Sequence, residues 1–207
     1  MAATSAPTSP LPRGRHGLPR ETVVRSQRER LLRAMAETMA ERGYARTSVA
    51  DVLRAAGVSR ETFYEQFASK EDCFMAAYDA AAGLLLAGVP GPRAAGPAGR
   101  LEAFARGLGA YLDALAAEPE FARLFLVEVY AVGPEAIARR MRAQERFVDA
   151  LSRTLDPRGA ERFAVEALVA AIAQMVTARL AAGDLEGLRA LRGPLTQLVA
   201  RALDADA

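Results

Sequence analysis

The residues with most to offer chemically lie between Thr47 and Phe67, where two short helical stretches flank a turn at Gly57. Val49, Val52, Leu53, Ala56, Val58, Phe63 and Phe67 can all face one small core. Glycine accepts the left-handed turn conformation that residues with a Cβ resist, so Gly57 suits the bend. Ala55 and Ala56 let the two helices approach closely. Such a helix-turn-helix can send its second helix into a major groove while the first crosses the backbone. The chemistry on offer is therefore hydrogen bonding and charge rather than bond making. An all-α enzyme is the rival reading, and little supports it. One His and one Cys leave no nucleophile–base pair and no metal set to assemble. Carboxylate pairs such as Glu71 and Asp72 read as helix capping and solvation. No Gly-rich phosphate loop follows a strand. We expect no catalytic residue, no metal and no cofactor.

Charge distribution supports a polyanion partner for the front of the chain. Residues 1–70 carry 12 Lys+Arg against 7 Asp+Glu, and the remaining 137 carry 15 against 18. A basic head on a slightly acidic body fits binding at one end and another task behind it. Lys70 is the one lysine; every other basic side chain is Arg. The lone Cys73 has no disulfide partner and reads as a small buried hydrophobe rather than a redox sensor. The first twenty residues hold Pro, Ser, Gly and Arg without an apolar core segment, unlike a secretory signal. The most apolar run, residues 167–178, falls short of the roughly 20 residues of a membrane span. These readings point to a cytoplasmic protein with no membrane partner.

The elements that must position the motif are all helical. Residues 1–20 have no hydrophobic period and are expected to form a disordered basic arm. Leu31, Leu32, Met35 and Met39 then recur at helical spacing until Gly43 stops the helix. Ser48 with Asp51 and Ser69 with Asp72 fit the capping pattern that satisfies free N–H groups, and Ser59 is placed to cap a helix from Arg60 to Phe67. A Pro/Gly stretch from Gly88 to Gly99 separates a fourth helix from the rest. Helices are predicted over 100–117, 120–131, 134–155, 159–181 and 185–203, the last kinked or split by Pro194. The expected fold is all-α. It comprises the arm (1–20), a three-helix DNA-binding domain (21–80) and a second helical domain (81–207).

Gly43-Tyr44, Thr47, Ala56-Gly57-Val58-Ser59, Thr62-Phe63-Tyr64, Phe67 and Ser69-Lys70-Glu71 together resemble the N-terminal domain of the TetR (tetracycline-repressor-like) family of transcriptional regulators. Leu53 departs from the pattern, which usually places a small residue there, and Cys73 stands where leucine is common. The resemblance implies a base-reading helix from Ser59 to Gln66. Arg60 is then placed to grip guanine, Thr62 a thymine methyl, and Glu61 a cytosine amine or the positive end of its own helix. Thr47, Tyr64 and Lys70 match phosphate-contacting positions, and the caps Ser48 and Ser59 are DNA-binding candidates beside them. In the arm, Arg13 and Arg15 are candidates for the minor groove or for sequence-independent attraction.

The same resemblance implies an effector pocket among the later helices, with Phe104, Tyr111, Phe125, Tyr130, Met141, Phe147 and Met175 as candidate lining. It also implies a four-helix dimer interface from the last two helices, for which Leu168, Ile172, Met175, Leu195, Leu198 and Val199 are the candidates. The function implied is a dimeric repressor, bound to a pseudopalindromic operator and released by a small apolar effector. The alternative is an activator, or a ligand-independent DNA-binding protein, of the same fold.

Overall fold

The computed structural model describes residues 19–87, 96–155 and 162–205. Arg13, Arg15 and His16, most of the Pro/Gly stretch and the break at residues 157–159 lie outside them. Among the described residues there is no strand. The helices are α1 (Arg20–Arg42), α2 (Val49–Ala56), α3 (Arg60–Gln66), α4 (Lys70–Ala87), α5 (Gly96–Ala117), α6 (Pro119–Leu126), α7 (Pro134–Leu155), α8 (Arg162–Ala182), α9 (Leu185–Ala190) and α10 (Arg192–Ala205). The fold is all-α, with a helix-turn-helix head and a helical body.

Helix ends fall where the sequence chemistry puts them. Ser48 Oγ accepts from the Asp51 N–H while the Asp51 carboxylate accepts from the Ser48 N–H, a reciprocal cap that starts α2. Ser59 Oγ accepts from the Thr62 N–H and starts α3. Gly57 ends α2 at φ 62° and ψ 39°, the left-handed conformation its lack of a Cβ permits. The segment 120–131 is not one helix: α6 stops at Leu126 and Glu128–Ala131 tighten into a 3-10 turn. That turn keeps Val129 buried while Glu128 reaches back toward Tyr44. The last predicted helix splits at Leu191, leaving Pro194 in the first turn of α10, where its missing N–H breaks no helical bond.

One core runs from head to body. Leu31, Met35, Val52, Phe63, Phe67 and Phe74 fill the head. The core continues through Tyr78 of α4, whose ring stacks on Phe125 of α6 at 4.7 Å between centroids. On α8, Val165, Val169, Ile172, Val176 and Leu180 recur every three or four residues and are buried. The opposite face, with Phe163, Ala167, Ala170, Ala171, Gln174 and Ala178, is exposed. By length and composition alone α8 could cross a membrane. The inward face is occupied by the protein's own core.

The candidate interface residues divide sharply. Leu195 and Val199 are buried, and α10 packs on α5 of the same chain. Ile172 is buried as well, Leu168 and Met175 are half-buried, and Leu198 is 54% exposed. Leu195, Val199 and Ile172 therefore do not fit the expected role. Helical spacing marks an apolar stripe without saying what covers it. Truncating Leu195 to Ala should cost about 2–5 kcal/mol in urea denaturation, as a core leucine does. Leu84→Ala, at a 69% exposed position, should cost under about 0.5 kcal/mol.

Candidate nucleic-acid interface and internal cavity

The candidate reading surface is built by anchoring one side of α3 and leaving the other free. Phe63 and Phe67 are buried, with ring centroids 5.6 Å apart. Arg60, Glu61, Tyr64 and Glu65 then point outward, as positions one and four residues apart on a short helix must. Tyr64 is 49% exposed, yet its ring meets Phe63 edge-on at 5.3 Å, which restricts its motion. Thr62 is half-buried and its hydroxyl lies 2.9 Å from Ser59 Oγ. Arg42 and Arg54 flank Asp51 at 3.4 and 3.0 Å, and Arg46 is exposed beside them. Arg28 lies over the Phe67 ring at 4.5 Å. This arginine rim was not singled out from sequence, because its members belong to α1, α2 and the loop between them.

Two of the expected phosphate contacts also brace the loop between α1 and α2. Thr47 is 2% exposed, and its hydroxyl donates to the Gly43 carbonyl at 2.9 Å. A side chain so enclosed holds the α1–α2 loop. Lys70 Nζ donates to the carbonyls of Tyr44 and Thr47, both at 2.9 Å, and sits 3.8 Å from the centre of the Tyr44 ring. Two of its three N–H groups are thereby used. Burial lowers the Lys70 pKa from its ordinary value. The Tyr44 N–H donates to Glu128 of the 3-10 turn at 3.2 Å, which ties the same loop to the body. Cys73 is fully buried, and desolvation pushes its thiol up to about 12, so it holds no thiolate near neutrality.

Inside the body, α5, α6, α7 and α8 enclose an apolar cavity with about 80 Å³ of room. A single water needs only roughly 10–15 Å³ by the same measure. Phe104, Tyr111, Phe125 and Phe147 line it, as does Ile172. Tyr130 is 52% exposed and is absent from the lining, reaching the site through Arg140, whose Nε donates to its hydroxyl at 2.7 Å. Met141 is 47% exposed and Met175 packs elsewhere in the core, so neither lines the cavity. Sequence reading missed Arg140, Gln144, Leu151 and Thr154. Their spacing of four, seven and three places them with Phe147 on one face of α7. Burial raises the Tyr111 phenol, keeping it neutral, against a smaller opposing pull from Arg140. Among the described residues no three His, Cys, Asp or Glu side chains cluster to hold a metal.

Residues 31–77 match the model of the family described as "Bacterial regulatory proteins, tetR family". Many solved structures share the fold. The fatty acid degradation regulator FadR of Bacillus halodurans aligns at TM-score 0.72 and 20% identity, over 83% of this chain and 97% of its own. FadR of Bacillus subtilis, solved with stearoyl-CoA, aligns at 0.70 and 18%, over 83% and 97%. The TetR-family regulator PfmR of Thermus thermophilus aligns at 0.68 and 24%, over 84% and 95%. No curated protein sequence matches the chain. The head is thus a TetR-type helix-turn-helix and the whole fold is TetR-like.

The α2 cap gives the head a defined acid sensitivity. Hydrogen bonds from Ser48, with Arg54 beside it, hold the Asp51 carboxyl at about 2, below the ordinary 3.8. A depressed acid stabilises the folded state above its unfolded pKa and loses that contribution as pH falls through the folded one. Asp51→Asn should therefore lower the melting temperature near neutrality, with the gap to wild type closing between about pH 4 and 2. Lys70→Arg tests the loop: a planar fork cannot reproduce a point charge between two carbonyls and a ring face. Its cost in urea denaturation should be about 1–3 kcal/mol, as for a hydrogen-bonded charged group.

Proposed function

We propose that this chain is a cytoplasmic, dimeric, ligand-responsive transcriptional repressor that binds a pseudopalindromic operator and releases it when a small apolar effector fills the body cavity. One observation carries the reading: α7 touches both the cavity and the helix that carries the head. Arg140 lines the cavity, while its neighbour Arg139 pairs with Asp79 of α4 at 2.7 Å. A ligand that fits better when α4 is displaced must weaken operator binding by the ratio of its two affinities. The stearoyl-CoA held by FadR of Bacillus subtilis supports a body of this shape as a ligand site.

Arg60 and Thr62 are the base-reading residues of this proposal, with Glu61 and Glu65 placed to accept from cytosine amines. Tyr64, Ser48, Ser59 and the Arg42–Arg46–Arg54 rim meet the phosphates, joined by Arg13 and Arg15 of the arm. Thr47 and Lys70 hold that surface in place. The second head comes from a second copy. The exposed face of α8, from Phe163 at 82% exposure through its alanines, together with exposed Leu198 of α10, suits a two-fold helix pairing. On this reading residues 1–20 form the arm, 21–80 the head and 81–207 the body.

Operator fragments selected from the protein's own genome should share a palindromic consensus, and binding should fall steeply with salt. Arg60→Ala should cost about 1–3 kcal/mol and relax preference at one base position. Arg46→Ala should weaken all sequences alike. Leu198→Glu should give monomers in sedimentation and lose the palindromic preference. Fragments with no shared sequence at any salt concentration would overturn the regulator reading.

A further inference from the structure

Arg140 is 8% exposed, and among the described residues no carboxylate lies within ion-pair distance of it. Its Nε donates to the Tyr130 hydroxyl and its guanidinium stands 5.1 Å from the centre of that ring. Neither contact neutralises the charge, and an arginine cannot shed its proton. A buried charge is tolerated when something pairs with it. The polar groups facing it are Tyr78 from α4, Tyr111 from α5 and Gln144 one turn along α7, all neutral. The cavity thus holds a positive charge at one end with no resident anion.

The other end is apolar apart from Thr154, whose hydroxyl donates to the Ala150 carbonyl at 3.3 Å. From Arg140 to Leu151 the α7 face extends about 16 Å at 1.5 Å per residue. Helix α5 runs antiparallel to it: Tyr111 meets Phe147 edge-on at 5.8 Å, and Arg100 donates to the Leu155 carbonyl at 3.0 Å. Phe104 therefore lies toward the Leu151 end, away from the charge. A site with a cation at its head and hydrocarbon along its length matches a ligand with the complementary division.

We propose that the cavity, widened beyond its present room of about 80 Å³ by the displacement of α4 described above, takes a single-tailed amphiphile, a medium-chain carboxylate whose head pairs with Arg140 and whose tail lies between Phe104, Phe147 and Leu151. This rests on the effector reading above and gives the effector its chemical class. The Arg140 fork donates two parallel N–H bonds to a carboxylate, the geometry an arginine offers and a lysine does not.

Calorimetric titration of the full-length wild type with decanoate, decan-1-ol and decanoyl-CoA tests it, with operator binding followed by anisotropy in the same samples. Decanoate should bind roughly ten- to hundredfold more tightly than decan-1-ol. Arg140→Gln should remove that preference while leaving affinity for the alcohol within a few-fold. Thermal melts establish that the variant is folded; if it is not, the wild-type ratio decides alone. Equal affinity for acid and alcohol overturns the carboxylate assignment and leaves an apolar effector standing. Binding of decanoyl-CoA without decanoate assigns the anion to the phosphates and also overturns it. Decanoate bound tightly with operator still held upholds the ligand and removes the effector role. Binding of none of the three overturns both.

Discussion

The ammonium of Lys70 is the contact on which the head depends. It closes the loop between α1 and α2 by bonding carbonyls 26 and 23 residues earlier in the chain and by resting on the Tyr44 ring. Thr47 braces the loop from inside, and Gly43, at φ 75°, lets the chain leave α1 without strain. With this loop fixed, the start of α2 is fixed, and through Gly57 so is the tilt of α3. In a chain whose other 26 basic residues are arginines, the one lysine occupies a site that needs a compact charge with separate donors.

The loop also faces the body. Glu128 accepts the Tyr44 N–H from the 3-10 turn after α6, and Arg33 of α1 pairs with Glu118 at 2.9 Å before it. Between these polar ties, the Tyr78–Phe125 stack carries the core across. Phe125 lines the cavity on its other side. Packed interiors shift between discrete arrangements rather than deform smoothly. A change in what fills the cavity can therefore reach α1 and α4 by contact alone, without a long chain of intermediaries.

What was legible in the sequence was local. Caps at Ser48 and Ser59 and stops at Gly43 and Gly57 depend on a few adjacent residues, and each appears where its chemistry required. The burial of Thr47 and the bonds of Lys70 to the loop carbonyls depend on partners 4 to 26 residues away, so position in a motif could not show them. Leu195 and Val199 failed for a related reason: apolar periodicity reports that a face is covered, not whether by the same chain. Leu53, unusual for the motif, is half-buried at the edge of the head core. Arg140 was overlooked because an arginine in a helix rich in Arg and Glu reads as solvated surface. Only the neighbouring helices make it an interior charge.

Arg139 and Arg140 are adjacent in sequence and point about 100° apart around α7. One grips the helix below the head, and the other faces the cavity. On the proposed function, recognition of a signal and transmission of it are separate heritable characters, encoded one codon apart. A lineage can replace the residue at 140, and with it the molecules that the cavity tolerates, while the clasp on α4 persists. New specificities can then arise without rebuilding the response.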